Sequence, residues 1–492
     1  MKFATLILLG VVTLPLGLLA QVDPLDRQDV RLSTASPQFC VGLRGQCFQG
    51  RNCCPGLVCT FEGNRAFCEK GSPILPPSIN ILPAPSAGAV TLPYSFTFTA
   101  ANGILPLTWN ETGALPPGLV FSNNGLMSGV PSKTGAFPIT VNVEDSLGNS
   151  ATPRQFTIQV FLHGFKATGN MMAARTSHTA TLLHNGKVLL AGGFSDTGGL
   201  ATAELFSPGT GTFAPTGNME TGRFDQASTL LTSGKVLVAG GGGATAELYN
   251  PGTGKFSPTG NMNASRVYQT ATLLTNGKVL VTGGGDDNVN PIASAEIYDP
   301  VSGTFTATGN MIAARYGHTA ALLPNGKVLV AGGTGTSGQS LATAELFDPA
   351  TGTFTATGTM TSARYAHTAT LLPNGTVLVT GGFDGNFKVI GTAEIFDSNT
   401  GTFIATGNMT VVRAFHTATL MGNGQVLVVG GVGAGSTPED QTAAELFNPS
   451  TRKFQATGSL TNARSLHAAT LLPSGKLLVT GGAGNTTAET YQ

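Results

Sequence analysis

Seven times between Arg175 and Arg464 an arginine is followed three residues later by histidine or glutamine, and a glutamate recurs equally often from Glu204 to Glu489. Guanidinium, imidazole and carboxylate are the groups that proton transfer and metal ligation use, so these positions are the first candidates for chemistry. In chain order they are Arg175 with Glu204, Arg223 with Glu247, Arg266 with Glu296, Arg315 with Glu345, Arg364 with Glu394, Arg413 with Glu445, and Arg464 with Glu489. Their regular recurrence argues against catalysis, because a catalytic site needs different residues in different roles. The expectation is a structural ion pair in every copy, hydrogen-bonded between strands. Five copies also carry His178, His318, His367, His416 or His467, where two others have Gln226 and Gln269. Amide and imidazole both donate and accept, so the expectation is a hydrogen bond to a neighbouring loop and no metal site. A further set, Asp196, Asp286, Asp287, Asp384, Asn386, Glu439 and Asp440, falls in stretches that do not repeat. These are the candidates for contact with a ligand, since variable loops on a fixed scaffold usually carry recognition.

The elements that position these residues recur at spacings near 49 residues. One copy reads Arg315-Tyr-Gly-His318-Thr-Ala-Ala-Leu-Leu-Pro-Asn-Gly-Lys-Val-Leu-Val-Ala-Gly332-Gly333, then a variable stretch, then Thr343-Ala-Glu345-Leu-Phe-Asp-Pro-Ala-Thr-Gly-Thr-Phe354. It predicts four strands, A to D, with an Asn-Gly hairpin between A and B and an Asp-Pro-x-x-Gly turn between C and D. Adjacent antiparallel strands put the D–A and B–C connections on one face and the tight A–B and C–D turns on the other. Only the B–C loops vary strongly in length and composition, which makes theirs the expected ligand face. The last copy stops after strand C, while Gly164-Phe-Lys-Ala-Thr-Gly-Asn-Met171 matches strand D of the other copies. That segment is expected to close the ring as the outer strand of the seventh sheet.

This pattern resembles the kelch repeat of β-propellers. The resemblance covers residues 161–492 and implies a seven-bladed propeller. Phe213, Phe256, Phe305, Phe354, Phe403 and Phe454 stand where kelch repeats usually carry tryptophan. Galactose oxidase shares this type of propeller, but its family uses copper and a tyrosine cross-linked to cysteine. No cysteine lies beyond Cys68 here.

All six cysteines, at 40, 47, 53, 54, 59 and 68, lie in a segment too short to bury a core of its own. Three disulfides are the expected remedy in an exported chain, and six cysteines allow 15 pairings. The spacing resembles the knottin family, which implies Cys40–Cys54, Cys47–Cys59 and Cys53–Cys68. Its functional reading is a toxin- or inhibitor-like effector with Arg44, Arg51 and Arg65 on its loops; a stapled structural cap is the plainer one. The run from Leu115 to Asn149 contains Pro116-Pro-Gly118, Asn124-Gly125 and Gly148-Asn149 turns between alternating strands. It resembles an Ig-like family common in secreted multidomain proteins. Cadherin-like relatives bind calcium, for which Glu144 and Asp145 are the local candidates, a thin set for a cation that takes six to eight oxygens.

The 492 residues carry 26 basic and 26 acidic groups, and only 11% are charged. A neutral, charge-poor chain cannot concentrate nucleic acid through counterion release, which rules out nucleic-acid binding as its main role. Lys2 followed by an apolar run to Leu19 and a small Ala20 reads as an export signal, leaving no membrane span after cleavage; an uncleaved anchor that keeps the chain at the cell surface is the alternative. The expected organisation is a signal over 1–20, a linker over 21–39, a disulfide module over 40–68, a Pro-rich linker over 69–88, an Ig-like sandwich over 89–160 and a propeller over 161–492. The fold class is all-β. The expected function is secreted binding or adhesion by a monomer without cofactor, recognising a protein or glycan on the B–C loop face. An extracellular carbohydrate-active enzyme and a knottin effector on an adhesive body are the alternatives.

Overall fold

The computed structural model describes residues 57–62, 65–70, 77–79, 85, 87–90, 94–435 and 439–492. The signal segment, the first linker and four of the six cysteines lie outside them, as does the disulfide pairing. The chain divides into two units, one ending at Leu75 and one running from Pro76 to Gln492. In the first, Leu57–Glu62 and Arg65–Lys70 form an antiparallel hairpin with Cys59 opposite Cys68 in register.

In the second unit, Gly88–Ala89, Arg154–Phe161, Gly135–Glu144 and Thr108–Gly113 form one sheet, and Tyr94–Thr97, Leu126–Gly129 and Leu119–Phe121 form another. Trp109, Phe98, Met127, Val141 and Ile158 fill the space between them. The Pro-rich stretch expected to be a spacer over 69–88 contributes structure of its own. Ser78–Ile79 pairs with Ala100–Ala101, and Gly88 pairs with Val160. Apolar Ile79 has a core to enter, so this end of the spacer is drawn into the sandwich.

Beyond Phe161, the described residues form seven four-stranded antiparallel sheets. A representative one has strand A at Thr319–Leu322, B at Val328–Ala331, C at Ala344–Asp348 and D at Thr353–Ala356. Strand A of each sheet lies beside strand A of the next, and the last beside the first. These repeated sheets fit a kelch-type β-propeller. Strand B is apolar apart from a terminal threonine in three of the seven sheets, because both of its faces are covered. Val328 and Val330 pack against the preceding sheet, with Leu280 and Met311, while Leu329 and Ala331 pack against the following one, with Val377 and Val379. The phenylalanine of strand D stacks beside an aromatic on strand C, as in Phe347–Phe354 with ring centroids 4.9 Å apart.

The Gly-Gly after strand B is required by the next sheet. Gly332 and Gly333 have φ of 65° and 92°, and a Cβ on Gly332 would lie 2.6 Å from the Arg364 carbonyl oxygen. A side chain there would be strained twice, by its backbone conformation and by that carbonyl. The sheet holding the last copy, Ala468–Leu471, Leu477–Thr480 and Ala488–Tyr491, takes Phe165–Ala167 as its fourth strand, with Phe165 opposite Tyr491.

Candidate functional site

Each repeated arginine is fully buried and bonded to its glutamate, with Nη2–Oε1 distances of 2.7–2.9 Å. In one copy the Arg315 Nη1 group donates to the carbonyls of Gly332 (2.6 Å) and Thr343 (3.0 Å), while the N–H groups of Ile312 and Ala313 donate to Glu345. Burial lowers the proton affinity of the guanidinium, and the paired carboxylate opposes that loss. The pair therefore fastens the D–A segment and both ends of the B–C loop to one point. Glu345→Ala should cost about 3–5 kcal/mol, because it leaves a buried guanidinium unpaired and two N–H groups without acceptors. Denaturant melts check this; a loss under about 0.5 kcal/mol would show that the pair does not hold the loop.

The histidines contact a strand of the preceding sheet where a loop contact was expected. His318 Nε2 shares hydrogen bonds with Thr282 (3.1 Å) and Thr270 (3.2 Å), and His178 reaches Thr480 across the seam between the last and first copies (2.9 Å). His367, His416 and His467 contact Thr319, Thr368 and Thr417 in the same way. Gln226 and Gln269 donate instead to the carbonyls of Ala191 and Ala239, where strand B ends without a hydroxyl. Burial and the neighbouring arginines push His178, His318, His367 and His467 down to about 3, and His416 well below its ordinary value.

The loop carboxylates are on one face but are not brought together. No three His, Cys, Asp or Glu gather among the described residues. Asp286 accepts from the N–H groups of Asn288 and Asn290, and Asp384 from those of Asn386 and Lys388, so each organises its own turn. Asp287 is bonded to Ser265 and Asp440 pairs with Val432, whereas Asp196 and Glu439 are exposed. In the sandwich, Asp145 accepts from the N–H groups of Ile104, Leu147 and Asn149, so the calcium candidate caps a turn.

Sequence reasoning missed the centre of this face. The third residue of each Arg-x-x-His/Gln segment, namely Ser177, Asp225, Tyr268, Gly317, Ala366, Phe415 and Leu466, has φ between 52° and 61°. Each donates its N–H to the carbonyl of the one before, at 2.9–3.3 Å, and Ser177 donates to Leu466. Seven backbone hydrogen bonds thus close a circle around the axis. The side chains set on this circle do not repeat. Ser177, Asp225 and Tyr268 make a polar arc, with the Ser177 and Tyr268 hydroxyls beside the Asp225 carboxyl. Burial outweighs those hydroxyls and pushes Asp225 up to about 6, while burial and Asp225 raise the Tyr268 phenol. An aromatic arc continues from there. Tyr268 and Tyr316 lie 5.9 Å apart, Tyr365 stacks on Phe383 at 4.9 Å, and Phe415 and Phe387 each approach Tyr365 edge-on at 6.3 Å. Phe387 is 56% exposed.

Residues 317–491 match the model described as the KLHDC2/KLHL20/DRC7 Kelch-repeats domain, and residues 266–312 match the Kelch motif. The repeats are similar to kelch repeats. Residues 76–161 match the model described as "Putative Ig domain", in keeping with the strand found at Ser78. No curated protein sequence matches the chain. Among solved structures, a fungal alcohol oxidase described as belonging to the AA5 family, in complex with copper, aligns with a TM-score of 0.57 and 20% identity. The alignment covers 67% of this chain and 76% of the oxidase, a likeness of fold.

Proposed function

We propose that the chain is a secreted, monomeric, modular binding protein, in which a closed seven-bladed kelch-type propeller recognises a protein or carbohydrate ligand through its B–C loop face. One observation carries the reading: the strict repetition of the scaffold lapses at the axial mouth of that face, where seven equivalent backbone positions hold seven different side chains. Scaffold positions repeat because packing repeats; positions released from repetition are those that a ligand can shape. Kelch repeats generally mediate protein binding, which supports the same reading. Export is supported by the apolar leader and by cysteines confined to one short segment. The knottin-like module is taken as a structural cap, and no cofactor is invoked. Oxidase chemistry of the copper-radical kind lacks its cysteine in the repeat region, since none follows Cys68.

The test is capture on glycan and protein arrays by the full chain, followed by the variants Phe387→Ala and Tyr316→Ala. Each should weaken any captured ligand by roughly tenfold or more, the loss expected for a central aromatic contact. A ligand held unchanged by both variants would place recognition off this face. Turnover on a hydrolase panel without stoichiometric binding would replace the binding role with an enzymatic one.

A further inference from the structure

Charge is divided between the two faces of the propeller region. The loop face carries Asp196, Glu220, Asp225, Asp286, Asp287, Asp384, Glu439 and Asp440 against one cation, Lys388. The tight-turn face carries eight lysines and Arg452 against three carboxylates, Asp299, Asp348 and Asp397. The seven buried Arg–Glu pairs cancel and leave this polarity uncovered. Such a field draws cations to the loop face, over about a Debye length of ~8 Å at physiological salt.

At the centre of that face sits Asp225. Ser177 and Tyr268 offer it hydroxyls, Arg223 is held by Glu247, and among the described residues no Lys, Arg or His forms an ion pair with Asp225. Tyr268, Tyr316, Tyr365 and Phe415 continue the same mouth with aromatic rings. A half-buried carboxylate without a counter-charge, next to ring faces that attract cations, is complementary to an ammonium group. A neutral sugar would gain stacking but would leave the carboxylate uncompensated.

We propose that the axial mouth is a cation-binding site whose occupant is the ammonium of a lysine side chain on a basic peptide segment, seated between Asp225 and the Tyr268–Tyr316–Tyr365 arc. The proposal rests on the loop-face reading and names its ligand class. A peptide suits the outer carboxylates, which stand on four separate B–C loops and one D–A segment and can meet cations spaced along a chain.

Calorimetry with the full chain tests it, using pentalysine, its fully Nε-acetylated form, pentaglutamate and a chitosan pentamer, against the native chain and the variants Asp225→Asn and Tyr365→Leu. Pentalysine should bind, more weakly as salt rises, and each variant should weaken it about tenfold or more; acetylation should abolish binding. Thermal melts establish that the variants are folded, and the second variant keeps the test open if the first is not. Equal affinity for the acetylated peptide, or pentalysine binding unaffected by both variants, overturns the site. A chitosan pentamer held more tightly than pentalysine overturns the peptide occupant. Should pentalysine fail to bind while another ligand depends on Phe387 and Tyr316, the cation site falls and the loop-face function stands.

Discussion

Lowering the pH from 7 to 5 should remove about 10 kcal/mol from the stability of the kelch-repeat region. His178, His318, His367, His416 and His467 are buried and held far below their ordinary value. In the unfolded chain each titrates near ~6.5, so below that pH the unfolded state binds protons that the folded state refuses. The stability is complete above about pH 6.5 and is lost as the pH falls from there towards 3. At pH 5 the loss is about 2 kcal/mol per histidine, hence about 10 for five. Asp225 acts in the opposite direction, since a carboxyl raised to about 6 takes up its proton in the folded state first, but it returns only about 1 kcal/mol. Typical domain stabilities of ~5–15 kcal/mol make a loss of this size close to complete. Denaturant melts at the two pH values measure it, and a chain with all five histidines changed to glutamine is the control. Gln226 and Gln269 already occupy this position, so the control should fold and lose most of its acid sensitivity. Equal losses in both chains would mean that other groups set the acid limit.

A chain beginning at residue 169 should be less stable than one beginning at residue 161 by roughly 5 kcal/mol or more. The eight residues between the cuts include Phe165–Ala167, which pairs with Ala488–Tyr491. Gly164 and Gln492 exchange both backbone hydrogen bonds, and the Thr168 N–H donates to Ala488. Phe165 is buried against Tyr491, with ring centroids 5.1 Å apart. Losing a buried phenylalanine alone costs ~3–5 kcal/mol, and the ladder adds to it. The shorter chain also exposes Ala488–Tyr491 as an unpaired edge, a template for association between chains. Both chains lack the sandwich, so any difference belongs to the strand. Melting temperatures and size-exclusion profiles decide it; identical behaviour would show that the last sheet does not need this strand.

The sheets and their order were legible because one signal was written seven times: Asn-Gly or Ser-Gly turns, an apolar strand B, and Gly-Gly after it. The Arg–Glu pairs were legible for the same reason. Ser177, Asp225 and Tyr268 were not, because a position that changes type in every copy drops out of a comparison between copies. Its signal was contrast, an erratic residue between an invariant arginine and a nearly invariant histidine. The histidine partners were hidden by topology. That His178, His318 and His416 follow sheets ending strand B in Thr480, Thr282 and Thr380 is written in the sequence, but it has meaning only once neighbouring sheets are known to touch. Ser78–Ile79 was hidden by its prolines, which mark an extended chain without saying whether it pairs.

The seam also sets an order of events during synthesis. Phe165–Ala167 is the first strand of the repeat region to be made, and its partner Ala488–Tyr491 is the last. At ~5–20 residues per second, more than three hundred intervening residues keep Phe165 without its partner for roughly 15–65 s. The circle of backbone hydrogen bonds cannot close until Leu466 has been made, since Ser177 waits for it. Sheets between the two ends can stack on their neighbours as they emerge, but the mouth takes shape only when the repeat region is nearly complete. A ribosome stalled anywhere before Leu466 therefore leaves a product with much of the scaffold and no finished binding face.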